Sequence, residues 1–165
     1  MHRRHFLSAC GLALTADGPR VVEFNCRFGD PEVQAVLALL ASPLAPLLLA
    51  AATGHLASAP APVWRDGASV NVVIAAEGYP DAPATGDVIE GLDRAAEVGG
   101  VAVLHAGTAP GSDGQPVTTG GRVLSVVAVG DDVLDARARA YEAAALIQLR
   151  GSHYRRDIAD PVAWA

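Results

Sequence analysis

Apolar and polar residues first alternate with a period of two, over Gly11–Thr15 and again over Arg20–Arg27. This predicts a β-hairpin closed at Asp17-Gly18-Pro19, three residues with strong turn chemistry. Along its second strand Val22, Phe24, Cys26 and Phe28 fall on one face and Glu23, Asn25 and Arg27 on the other. The apolar set predicts a core face. Asp30 is then expected to cap a helix with Pro31 at its first position, followed by Val33, Val36, Leu37 and Leu40 at helical spacing. Leu44–Ala52 predicts a second short helix ended at Gly54. Ser42, Pro43 and Pro46 break the most apolar stretch, Val33–Ala52, so no segment has the length of a membrane span.

Ser58–Asp66 is rich in Pro and Ala and predicts a connector, with Trp64 as its anchor. The period of two then returns, with Val70, Val72 and Ile74 alternating with Asn71 and Val73. Further strands are expected at Asp87–Ile89, Val101–His105 and Arg122–Val129, with loops at Gly99-Gly100 and Thr108–Gln115. Asp131 opens the longest expected helix, Asp132–Leu149, with Leu134, Ala138, Tyr141 and Ala145 on one stripe and Gly151 at its end. The pattern is α+β: a mixed piece over residues 1–57, then a β-rich domain over 58–165 packed by one helix at about 131–150.

Composition narrows the partners. The chain has 165 residues, 51% of them hydrophobic, which suffices for one good core. Its formal net charge of −6 and 12 scattered basic residues, all arginine, argue against nucleic acid, whose phosphates require clustered cations. Cys10 and Cys26 form no disulfide framework, which fits a reducing, cytoplasmic setting, and Cys26 falls on the expected core face. Met1-His-Arg-Arg-His-Phe and Leu7–Leu14 imitate the start of a secretory signal, but Asp17-Gly-Pro stands where small residues are needed. His2, His5 and Cys10 match no standard zinc spacing. Neither a Walker A loop nor a G-x-G-x-x-G string occurs.

The chemistry concentrates on the polar face of the second strand. Glu23 offers a charged oxygen and Asn25 a neutral one, from backbones roughly 7 Å apart at about 3.3 Å per residue. Magnesium takes few protein oxygens and completes its shell with water and phosphates, so one ion is within reach of both. Arg27 lies beyond, where its fork would hold a carboxylate or a phosphoryl oxygen. An amphipathic strand whose polar face simply meets water remains the alternative. Thr118-Thr-Gly-Gly-Arg122 fits either a phosphate-cradling loop or a glycine-built hairpin, and the latter is the simpler reading. His105 reads as a structural histidine, and Arg155-Arg156-Asp157 as a solvated or packing charge cluster.

The string Glu23-Phe-Asn-Cys-Arg-Phe-Gly-Asp-Pro-Glu32 with Gln34 resembles the C-terminal part of the phosphoribosylamine–glycine ligases (glycinamide ribonucleotide synthetases), ATP-grasp enzymes of purine synthesis. The resemblance continues in order through Ala76-Glu-Gly-Tyr-Pro80, Gly86-Asp87, His105-Ala-Gly-Thr108, Thr119-Gly-Gly-Arg-Val-Leu124, Ala140-Tyr141 and Tyr154-Arg-Arg-Asp-Ile158. It implies that residues 1–57 are the end of an ATP-grasp domain. It further implies ATP as co-substrate and Mg2+ or Mn2+ as the metal. By the resemblance, ATP would phosphorylate the glycine carboxylate, and the amine of 5-phosphoribosylamine would attack the acyl phosphate and release phosphate. By the same resemblance Glu23 and Asn25 match metal ligands. Arg27 would be catalytic and substrate-binding, and Asp30 would support the loop or the substrate. Adenine and phosphate contacts are expected on an upstream part with no counterpart here, so the chain alone is expected to be inactive. A non-catalytic binding or assembly module that keeps the C-terminal fold is the competing expectation.

Overall fold

The computed structural model describes residues 9–25 and 27–160, with the side chains of 9–14 and 23 excepted. These residues fall into two compact units, one reaching Val33 and resuming over Leu40–Arg65, the other made of Gln34–Leu39 and the chain from Asp66 onward.

In the first unit β1 (Ala9–Thr15) and β2 (Gly18–Asn25) form an antiparallel ribbon. The expected hairpin is present, but its turn is tighter. Thr15 pairs with Gly18, and the Thr15 hydroxyl accepts from Asp17 N at 3.3 Å while donating to Gly18 O at 2.8 Å. Gly18 and Pro19 therefore belong to β2. The register shifts between Gly11 and Leu12, which pair with Glu23 and Val21, so Val22 is the bulged residue. β2 stops at Asn25, and Arg27 lies in a bend beyond it. The expected core face is not buried within the unit: Val22 is 70% and Phe24 71% exposed. A two-stranded ribbon offers neither face a second layer to pack against. Cys26 and the Met1-to-Ser8 stretch, with His2 and His5, lie outside the described residues, as does the Cys10 side chain.

The first helix, α1, is Glu32–Ala38, so Asp30 and Pro31 precede it and Pro31 is not its first residue. α2 is Leu44–Ala52, closed by Thr53, whose hydroxyl returns to Leu49 O at 2.8 Å. The connector anchors through its backbone. Val63 O accepts from Ala41 N at 2.8 Å and Trp64 bridges Leu40, but the Trp64 ring is half exposed.

The second unit holds the core. β3 (Ala68–Ala75), β4 (Val101–His105) and β7 (Arg122–Gly130) form an antiparallel sheet in the order β3-β7-β4. Val70, Val72 and Ile74 are buried, as their alternation requires, and β7 is buried over Val123–Ala128. Against the sheet lies α4 (Val133–Leu146), capped by Asp132, whose Oδ1 accepts from Asp135 N at 2.8 Å. Its buried residues are Ala136, Ala140, Ala143 and Ala144, spaced for one helical face. Of the expected stripe, Leu134, Ala138 and Ala145 are exposed, Leu134 at 57%, and only Tyr141 packs against the core, half-buried at its edge. Methyl-sized side chains let the helix lie close to the sheet, and bulky ones are excluded from that seam. The helix also ends sooner than expected: Ile147 is already extended, and Gly151 sits in a later turn.

Three smaller elements depart from the sequence pattern. The stretch expected as a loop from Thr108 to Gln115 begins as β5 (Thr108–Pro110), which pairs with β6 (Pro116–Thr118). Asp87–Ile89 is no strand, and contributes only the isolated bridge of Val88 to Val117. A short helix, α3 (Leu92–Ala96), starts after Gly91 and buries Ala95. The α+β class stands.

Candidate functional site

Glu23 and Asn25 occupy β2 opposite Gly11 and Ala9, two residues apart and both beyond the bulge, so their positions share one face of the ribbon. Asn25 is half-buried at the strand end; the Glu23 side chain lies outside the described residues. Arg27 is brought near in sequence but not by strand alternation, because the strand has ended. Its exposed guanidinium donates from Nη1 to Phe28 O at 2.7 Å. Asp30 is exposed in the turn before α1. That turn closes where Val33 N donates to Gly29 O at 3.1 Å. A Cβ on Gly29 would meet the Glu32 carboxylate, so a larger residue there would require the Glu32 side chain to swing aside.

Two oxygen donors on one face suit a hard cation that draws its remaining ligands from phosphates and water. Among the described residues no group of three or more His, Cys, Asp or Glu side chains gathers as a metal cluster.

In the second unit, Thr118-Thr-Gly-Gly-Arg122 ends β6 and opens β7. The Tyr79 ring lies where a Cβ on Gly121 would stand, and Gly107 meets Gly120 backbone to backbone. Thr118 is buried, and its hydroxyl accepts from Asp87 N at 3.1 Å. These glycines serve close packing. His105 Nδ1 is 2.9 Å from Thr108 Oγ1, an exposed local pair. Arg155 grips Asp157 through Nε at 2.9 Å and Nη2 at 2.6 Å, and that hydrogen bond above all holds the Asp157 carboxyl below its usual value.

One network was not singled out by the sequence. Arg150 donates to both oxygens of Asp87 and to Glu77, joining the segment after α4 to the loop after β3. The strings Ala76-Glu-Gly-Tyr-Pro80 and Gly86-Asp87 were visible, but the arginine that joins them stands more than sixty positions away, at Arg150. An open groove between α3 and α4 is lined by Arg94, Glu97, Gly99, Arg139 and Glu142. Arg139 is already engaged there by Asp135 and by Gly99 O.

A two-stranded ribbon with two short helices, followed by an antiparallel sheet on an alanine-faced helix, defines an α+β protein of two small units. Residues 69–161 match the phosphoribosylglycinamide synthetase C domain, and the chain belongs to that family. It is 60% identical over 148 residues to the phosphoribosylamine–glycine ligase of Mycobacterium tuberculosis, covering 90% of this chain and 34% of that protein. Its identity to the phosphoribosylamine–glycine ligase of Streptomyces coelicolor is 55% over 157 residues, covering 94% of this chain and 38% of that one. A crystal structure of phosphoribosylamine–glycine ligase from Thermotoga maritima superposes with a TM-score of 0.73 at 36% identity, over 91% of this chain and 36% of that chain. The chain thus spans about a third of the length of the curated relatives it matches.

Proposed function

We propose that the chain is the C-terminal portion of a phosphoribosylamine–glycine ligase, which joins glycine to 5-phosphoribosylamine at the expense of ATP to give glycinamide ribonucleotide, ADP and phosphate. The observation that carries this reading is 60% identity over 148 residues to a protein of that name. A cytoplasmic site of action in purine synthesis follows from the same reading. Among the described residues no helix is long and apolar enough to cross a membrane.

In this reading residues 1–57 close an ATP-grasp domain and residues 58–165 form the domain that follows it. Glu23 and Asn25 would hold a Mg2+ or Mn2+ ion, and their two oxygens on one strand face fit such an ion's need for few protein ligands. A bound ion supplies charge neutralisation between the anionic carboxylate and the anionic γ-phosphate. Arg27, whose exposed guanidinium donates to Phe28 O, would orient the transferring phosphoryl group or the glycine carboxylate. Asp30 would fix the turn that aims Arg27. The adenine and most phosphate contacts fall to the two thirds of the relatives that this chain does not span, so activity requires that remainder.

Calorimetric titration of MgATP tests the reading, using a single chain in which the remainder of the Mycobacterium tuberculosis relative precedes this sequence. Binding and glycinamide ribonucleotide formation, both lost in Glu23→Ala, are the expected result. A chimera that folds and binds no MgATP would withdraw the catalytic reading in favour of a non-catalytic assembly module, which the self-contained core of the second unit would suit.

A further inference from the structure

We draw no further inference here: the strongest candidate, the open groove between α3 and α4 lined by Arg94, Glu97, Arg139 and Glu142, sets as many cations as carboxylates along its walls, with Arg139 already engaged by Asp135 and Gly99 O, and nothing in the structure shows what would occupy it.

Discussion

Arg150 holds Asp87 in a two-point grip, Nε to Oδ1 at 2.9 Å and Nη2 to Oδ2 at 3.1 Å, and its remaining Nη1 reaches Glu77 at 2.9 Å. The grip raises the arginine's pKa, chiefly through the hydrogen bond to Asp87. Asp87 is much the less exposed partner, at 17% against 66% for the arginine side chain. A lysine can reach one of these oxygens but cannot reproduce the planar fork. Arg150→Lys should therefore lower the melting temperature slightly and speed amide exchange around Gly86 and Asp87. The melting difference should shrink in about 1 M salt, where screening acts over about 3 Å. Identical exchange in the two proteins would mean the grip does not hold the loop.

The Tyr141 hydroxyl does two jobs: it donates to Arg155 O at 2.7 Å and accepts from Ile158 N at 3.1 Å. Arg137, stacked 4.7 Å from the Tyr141 ring centre, donates to Ile158 O and Arg156 O. Together they strap the segment after Tyr154 onto α4. Tyr141→Phe keeps the ring and removes both hydrogen bonds at a site water partly reaches, which should cost about 0.5–1.5 kcal/mol. Denaturant unfolding measures it, and limited proteolysis should cut the 155–160 segment first.

Much of this was legible along the chain. Val70, Val72 and Ile74 were readable because a strand facing a core alternates strictly, and β4 and β7 because their runs are bounded by glycines and charges. That Glu23 and Asn25 stand on one strand was readable from the alternation of residues after the Asp17-Gly18-Pro19 turn. The exposure of that strand was not: Val22 and Phe24 have the alternation of core residues, yet a two-stranded ribbon supplies no layer to bury them. The inner face of α4 was misread because Leu134 is bulky and the true seam is alanine, a residue whose burial leaves no mark on the hydrophobic pattern. Arg150 escaped because a grip between distant segments has no local spacing.

Acid should loosen the start of α4. Asp135 is held below its ordinary value of 3.8, first by the hydrogen bond from Arg139, then by the bond from Asp131 N. A carboxyl lowered on folding stabilises the fold fully above its unfolded value, and that contribution is lost as pH falls through the lowered folded value. The melting temperature of the parent chain should thus exceed that of Asp135→Asn at neutral pH, and the gap should close below about pH 4. A gap that persists unchanged at low pH would place the effect in packing and not in charge.

The alanine seam gives the sharpest test of the packing. Ala140 is fully buried between α4 and the sheet, whereas Leu134 is mostly exposed on the same helix. Enlarging Ala140 to leucine drives three carbon atoms into a seam packed at crystal-like density, at about 1–3 kcal/mol or more. Truncating Leu134 to alanine removes a side chain that water already reaches, and should change stability by less than about 0.5 kcal/mol. If Leu134 faced the core, the order would invert: Leu134→Ala would open a cavity worth about 2–5 kcal/mol and Ala140→Leu would be tolerated at the surface. Denaturant midpoints of the two variants therefore report which face of α4 meets the sheet.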